Sequence, residues 1–136
     1  MKTKPLKQLL KITFLGISVM SLSPSFAHEF EIFTLHEREV FLNGESARVC
    51  YLDDLKRLEV QIGARLDESM DNHDIESVMK GFETRLNEAV ACQQQAMDLG
   101  VEKLPAIVIN HQFVAYGLDS VNSAMKAYRK EIENAQ

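Results

Sequence analysis

Apolar and polar residues alternate in two short segments near the front of the chain, at 30–35 (FEIFTL) and 47–52 (ARVCYL). Alternation with a period of two is typical of a half-buried β-strand, because successive side chains point to opposite faces of a sheet. The segment between them, 36–46, is polar and contains the turn pair Asn43-Gly44. The pattern therefore predicts two strands joined by a loop, with at most one helical turn or a short strand near 40–42.

Apolar residues then recur at helical spacing in two successive segments. Asp53 and Asp54 favour a helix start through capping and first-turn charge, and the spacing predicts a helix over about 54–67. A longer helix is predicted from about Asp74 to just before Gly100, with Gly81 as a point where it kinks or breaks in two. The side chains expected to face inward on this longer helix are Ile75, Met79, Phe82, Leu86, Ala89, Val90 and Met97.

The segment 104–117 predicts a tight β-hairpin, with two short apolar strands around an Asn110-His111 turn. An amphipathic helix is predicted over about 118–133. Its expected inward side chains are Val121, Met125, Tyr128 and Ile132. The order of elements is therefore β-(loop)-β-α-α-β-β-α, which favours an α/β fold with a thioredoxin-like layout.

Pro105 stands at the start of the third predicted strand. A proline cannot donate a ladder hydrogen bond, so it is confined to the first residue of a strand or to an edge. Thioredoxin-like domains carry a cis-proline at this position, beside the region that holds their active cysteines or their bound polypeptide. The layout predicts a cis Leu104–Pro105 bond, although only about 5–6% of X–Pro bonds are cis. A trans proline that simply begins the strand is the alternative.

The segment 99–129 carries a more specific pattern, which consists of Leu99-Gly100, the run Leu104-Pro-Ala-Ile-Val108, Tyr116-Gly117 and a helix with Tyr128-Arg129 near its end. In this pattern the chain resembles a family of small exported proteins encoded in integrating conjugative elements; the front half, with 30–35 and 49–53, is similar more weakly. The resemblance implies a thioredoxin-like fold related to periplasmic pilus-assembly proteins of F-type conjugation. It also implies that the partners are other proteins of a type IV secretion, or mating-pair, apparatus.

The sheet edge beside Pro105 is the expected contact surface, because thioredoxin folds bind extended polypeptide there by strand addition. Its expected residues are Leu104, Pro105, Ala106 and Tyr116. The leading hypothesis is therefore a non-catalytic binding module that helps to assemble or stabilise a conjugative secretion apparatus.

Residues 1–27 have the three parts of a cleavable signal peptide. Four lysines come first, an apolar stretch over 12–22 follows, and Pro24 precedes the small residues Ser25 and Ala27. The apolar stretch is about half the 20 residues that a membrane anchor needs. We therefore expect cleavage after Ala27, a periplasmic location, and a single thioredoxin-like domain over 28–136.

Cleavage would also change the charge balance. The leader carries four of the 15 basic residues and none of the 20 acidic ones, so the remaining chain has a formal net charge of −9. This acidity argues against nucleic-acid binding, which requires a basic surface to displace counterions from phosphates. No second hydrophobic span follows, so no membrane-spanning segment is expected after cleavage.

The two cysteines, Cys50 and Cys92, raise the alternative of a periplasmic thiol-disulfide oxidoreductase or chaperone. Such an enzyme needs a cysteine at a helix N-terminus after the first strand, where the helix dipole lowers the pKa of the thiol. That position reads Thr34-Leu-His-Glu-Arg38, without a cysteine. Cys50 lies in the middle of a predicted strand and Cys92 in the second half of a predicted helix.

Two structural roles for Cys50 and Cys92 remain open at this stage. A disulfide between them would close a long loop and stabilise the fold by about 2–4 kcal/mol. Alternatively, both are buried apolar fillers. The separation of the strand and the helix decides, because a disulfide needs Cα atoms within about 7 Å of each other.

The four histidines fall in separate segments, at 28, 36, 73 and 111, without the close pairs typical of metal sites. Neither a metal site nor a cofactor is therefore predicted. As the expected first residue after cleavage, His28 has the amine and imidazole that chelate Cu(II) or Ni(II), which is a generic property. His111 is interpreted as an exposed turn residue, and Met79, Met97 and Met125 as core packing residues.

Overall fold

The structure is a computed structural model that describes residues 27–136. The predicted signal peptide thus lies outside the described residues, except for Ala27. The elements, in chain order, are β1 (Phe30–Thr34), β2 (Ala47–Tyr51), α1 (Asp54–Gly63), α2 (Asn72–Asp98), β3 (Ala106–Ile109), β4 (Phe113–Tyr116) and α3 (Val121–Asn134).

The four strands form one sheet in the order β2-β1-β3-β4. β1 and β2 are parallel, whereas β3 is antiparallel to both β1 and β4. All residues of β1 are buried, including the polar Glu31 and Thr34, so the prediction of a half-buried strand is wrong for β1: it is an inner strand covered on both faces. This mixed α/β architecture confirms the expected thioredoxin-like layout and leaves β2 and β4 as the edges of the sheet.

The connection between the parallel strands β1 and β2, residues 35–46, contains no helix. It has about the minimum length for a parallel crossover, which is a dozen residues. Backbone hydrogen bonds attach it to the start of α3: the Phe41 N–H donates to the Asp119 carbonyl (2.7 Å), and the Val121 N–H donates to the Phe41 carbonyl (3.0 Å). The loop prediction is confirmed, and the loop lies on the same face of the sheet as α3.

Each face of the sheet has its own apolar cluster. On the α3 face, Val121, Ala124 and Met125 pack against strand residues that include Ile32 and Ile107. The cluster on the α2 face consists of Phe33, Cys50, Ala96, Ala106 and Val108. A third, smaller cluster lies between α1 and α2 and contains Leu58, Phe82 and Ala89.

The inward face of α2 differs from the predicted one. The helix continues through Gly81 without a break, and its buried residues are Phe82, Ala89 and Ala96. Met97 is 73% exposed and Met79 39%, so the prediction that both pack in the core is wrong. Where the helix covers the sheet, the inward residue is the small Ala96, which permits a close approach, whereas the predicted inward face was defined by large apolar side chains. Met125 is buried, as predicted.

None of the helices within residues 27–136 is both long and apolar enough to cross a membrane. The longest of them, α2, has a mostly polar surface with three buried residues, Phe82, Ala89 and Ala96. Its length instead allows it to cover the sheet with its second half and to pack on α1 with its first half.

Candidate binding edge beside the cis-proline

The Leu104–Pro105 peptide bond is cis, in agreement with the expectation. It immediately precedes β3, whose first residue, Ala106, pairs with Phe33 near the carboxyl end of β1 and with Tyr116 at the end of β4. The Pro105 carbonyl accepts a hydrogen bond from the Gly117 N–H (2.9 Å). Pro105 thus lies where β1 ends, β3 begins and the edge strand β4 ends.

Arg38 reaches this position from the loop after β1. The buried Thr34 hydroxyl donates to the Arg38 carbonyl (3.0 Å), and the Arg38 N–H donates to the Leu35 carbonyl (2.9 Å), which closes a tight turn. The Arg38 side chain then donates from Nη1 to the Leu104 carbonyl (3.0 Å). This turn places an exposed positive charge on the residue that precedes the cis-proline, at the point in the fold where a thioredoxin-type enzyme would carry its thiol.

Tyr116 extends the surface along β4. Its side chain is 38% exposed. The Tyr116 hydroxyl donates a hydrogen bond to the Gly100 carbonyl and accepts one from the Glu102 N–H, and both bonds are 3.3 Å long. These bonds fix the ring across the segment that leads from α2 to Pro105.

The predicted contact residues differ in what they offer a partner. Leu104 and Pro105 are half-buried and Tyr116 is exposed, whereas the Ala106 side chain is fully buried. A partner can therefore touch Leu104, Pro105 and Tyr116, while Ala106 acts through the backbone register of the strand. We call the surface formed by Arg38, Leu104, Pro105 and Tyr116 the cis-proline edge. Arg38 was not among the predicted contact residues. It could have been included, because it lies in the segment after the first strand, where a thioredoxin-type enzyme has its active cysteine.

A second polar group lies at the carboxyl end of β2. The His36 ring stacks on Tyr51, with ring centroids 4.1 Å apart and planes inclined by 22°. His36 Nδ1 is 3.0 Å from Asp53 Oδ1, and Nε2 is 3.5 Å from Asp54 Oδ1. The His36 backbone N–H also donates to Asp53 Oδ1 (3.2 Å). These contacts attach the loop after β1 to the start of α1.

The pKa of Asp53 lies below its ordinary value. Partial burial would raise it, but the hydrogen bonds from the His36 side chain and backbone N–H outweigh that effect, together with a further bond from the backbone of Asp53 itself and the charge of His36. The Asp53 carboxylate therefore contributes to stability in its charged form.

Replacing Asp53 with Asn should lower the free energy of unfolding at neutral pH by less than about 1 kcal/mol, since the pair is partly open to water. The folded-state pKa is lowered, so the contribution is fully present above the unfolded value of about 3.9 and is lost as pH falls through the folded value. The difference between the native protein and the variant should then shrink in acid. Urea unfolding from about pH 7 to pH 2.5 measures it.

Asp119→Asn is the control, because it also removes one carboxylate, from the exposed loop before α3. Its effect on the free energy of unfolding shows what the loss of a surface carboxylate alone does. A difference between the native protein and Asp53→Asn that stays constant from neutral pH into acid would contradict the role given to the Asp53 carboxylate.

Cys50 and Cys92 form a disulfide, which joins β2 to α2 with a Cα–Cα distance of 5.4 Å. This settles the choice between the two structural roles in favour of the bridge. The bridge belongs to the apolar cluster that also contains Ala106 and Leu104. It therefore packs beneath the cis-proline edge, and the Cys50 side chain is only 1% exposed.

The opposite end of the sheet holds a group that the sequence analysis did not anticipate. His111 is exposed in the hairpin turn, as predicted, but its ring lies beside the carboxylates of Glu29 and Glu31. The three residues come from two separate segments, and strand pairing brings them together.

Comparison with known proteins gives one match. A family model described as "Protein of unknown function (DUF1525)" matches residues 27–131. No curated protein and no solved structure matches the chain. The matched span includes all four strands, helices α1 and α2 and most of α3, so the cis-proline edge lies entirely within it.

Proposed function

The chain belongs to the DUF1525 family, and we propose that it is a non-catalytic, thioredoxin-like binding module that is exported to the periplasm and helps to assemble a conjugative type IV secretion apparatus. Its contact surface in this proposal is the cis-proline edge, and its partners are other proteins of that apparatus.

The observation that carries the proposal is the composition of the cis-proline edge. Arg38 and Tyr116 flank Leu104 and Pro105 beside β4, which is paired on one side only in the described sheet. An unpaired edge strand can accept an extended segment through backbone hydrogen bonds, and neighbouring side chains then select the sequence. Arg38 supplies a fixed charge and Tyr116 an amphipathic ring, two residue types that are enriched at protein interfaces.

The export and conjugation parts of the proposal rest on the sequence. The lysine-rich leader with its short apolar stretch favours export. The pattern over 99–129 resembles that of exported proteins of integrating conjugative elements. A disulfide is also typical of an oxidising compartment outside the cytoplasm.

The alternative function, a thiol-disulfide oxidoreductase or chaperone, would require a reactive cysteine. An exchanging thiol must be accessible and must have its thiolate stabilised. Cys50 is buried, and its sulfur is joined to a residue in the second half of α2. Insulin reduction distinguishes the two functions, because a binding module leaves the insulin disulfides intact.

Deletion of the gene from its element should abolish or strongly reduce transfer in a mating assay. Complementation with the native gene should restore transfer, whereas Arg38→Ala and Tyr116→Ala should not, because each removes a side chain from the cis-proline edge. The readout is the number of transconjugants per donor cell.

Arg57→Ala is the matched control, since it removes an exposed arginine from α1, outside the cis-proline edge and outside the 99–129 pattern. Thermal unfolding of each purified variant shows that it is folded. Unchanged transfer after deletion would refute the role in conjugation. Full complementation by both edge variants would refute the choice of surface.

A further inference from the structure

We propose that Glu29, Glu31 and His111 form a binding site for a divalent metal ion of the zinc class. This inference is independent of the proposed function, because the site lies at the opposite end of β1 from the cis-proline edge.

Backbone register brings the three side chains together. Glu29 and Glu31 are two residues apart in an extended segment, so both project from the same face of the sheet. Phe30 pairs with Ile109, which sets the start of β1 beside the hairpin turn. The Asn110 N–H donates to the Glu29 carbonyl (2.9 Å), and the Glu29 N–H donates to Asn110 Oδ1 (3.0 Å). These two bonds hold the first carboxylate residue directly against the turn that carries His111.

The imidazole of His111 lies between the two carboxylates. His111 Nε2 is 3.5 Å from Glu31 Oε1, and His111 Nδ1 is 3.6 Å from Glu29 Oε2, so without an ion each ring nitrogen faces one carboxylate. One nitrogen and two carboxylate oxygens from these residues all lie within 4.8 Å of one another. Ligands at about 2.0–2.1 Å from one tetrahedral zinc are about 3.3 Å apart. An ion would therefore draw these atoms closer together, and in this proposal the exposed His111 and Glu29 side chains make that movement.

Glu31 supplies the second, independent observation. The residue is only 5% exposed. Its Oε2 atom is buried and has no hydrogen-bond partner within residues 27–136. A buried carboxylate that lacks a partner on one of its oxygens is costly, and a cation bound to this carboxylate would offset its buried negative charge.

The other oxygen of Glu31 is held by a supporting residue. Gln95 on α2 donates through Nε2 to Glu31 Oε1 and in turn accepts from Arg48 Nη1. Such outer hydrogen bonds orient a ligating carboxylate, as they do in known metal sites. One imidazole with two carboxylates is a nitrogen and oxygen set that suits zinc better than the all-oxygen preference of Ca²⁺ or Mg²⁺.

The test is a titration with Zn²⁺ alone. Protein is expressed from the full reading frame, purified in the form that cells accumulate, and checked by intact mass. Equilibrium dialysis should find one zinc per chain, and zinc should raise the melting temperature. Both effects should be lost in His111→Asn, since asparagine tolerates the left-handed backbone at this turn (φ 56°) but lacks the imidazole.

Further variants separate the roles of the residues. Glu31→Gln should weaken zinc binding by more than about 100-fold, and Gln95→Ala by about 10–100-fold, as is usual for loss of an orienting contact. His73→Ala is the matched control, because His73 is exposed at the start of α2, and it should bind as the native protein does.

Absence of zinc binding by the native protein overturns the proposal. So does native affinity in His111→Asn. Binding that survives His111→Asn but is lost in His28→Ala also overturns it, because the ion would then be held near the start of the predicted mature chain.

Discussion

The double substitution Cys50→Ala/Cys92→Ala should lower the free energy of unfolding by about 2–4 kcal/mol. The bridge joins residues 42 positions apart. The loop-closure model then gives about 4 kcal/mol from restriction of the unfolded chain, and native-state adjustments commonly reduce such values. In a domain of about 100 residues this corresponds to a fall in melting temperature of roughly 10–25 °C. Urea unfolding and calorimetry under oxidising conditions measure both quantities.

Reduction of the native protein provides the control. When both proteins are unfolded in the presence of a reductant strong enough to open the bridge, their stabilities should converge, because the loop is then open in each. Alanine is chosen because Cys50 lies in an apolar cluster, where a serine hydroxyl would add its own cost. A double variant as stable as the oxidised native protein would contradict a stabilising bridge.

The same double variant also bears on function. In a binding module the bridge supports the cis-proline edge from beneath, so the folded variant should restore transfer in the mating assay at a temperature well below its melting point. A thiol enzyme would lose all activity with its sulfurs. The outcome therefore separates a structural disulfide from a catalytic one with a single variant.

The order of elements could be predicted from the sequence because it depends on local signals. Period-two alternation marks 30–35 and 47–52, and the Asn110-His111 turn marks the hairpin. Both turn residues indeed have positive φ, 52° and 56°. Pro105 was placed at the start of the third strand for the same reason, and in the structure it immediately precedes β3, since a proline has few permitted positions in a sheet.

The candidate sites depend on tertiary contacts, and sequence patterns do not encode these directly. Arg38 reaches the Leu104 carbonyl across 66 positions of the chain. Similarly, Glu31 and His111 meet only because β1 pairs with β3 in one particular register. The Cys50–Cys92 bridge was undecided from the sequence because it requires the exact distance between α2 and β2.

Truncating side chains of helix α2 should also have a large effect on the free energy of unfolding, but only on one side of the helix. Two of its side chains were predicted to face inward, and the structure buries one and exposes the other. Phe82 and Met97 were both expected to face inward, yet Phe82 is 2% exposed and Met97 73%. Phe82→Ala should therefore lower the free energy of unfolding by about 3–5 kcal/mol, as is usual for truncation of a buried aromatic ring. Met97→Ala should change it by no more than about 0.5 kcal/mol. Urea unfolding of both variants, with the slope m compared to the native value, measures the two effects.

If Phe82→Ala and Met97→Ala lowered the free energy of unfolding by similar amounts, α2 would bury the face that its large apolar residues suggest. The structure instead buries Phe82, Ala89 and Ala96, which recur every seven residues along one line of the helix. Phe82 and Ala89 pack towards α1, whereas Ala96 packs on the sheet, where its small side chain lets this half of the helix lie close and brings Cys92 to Cys50 and Gln95 to Glu31. A rotation of α2 that buried Met97 would separate both pairs. The stability difference between Phe82→Ala and Met97→Ala therefore tests the disulfide geometry and the support of the proposed metal site together.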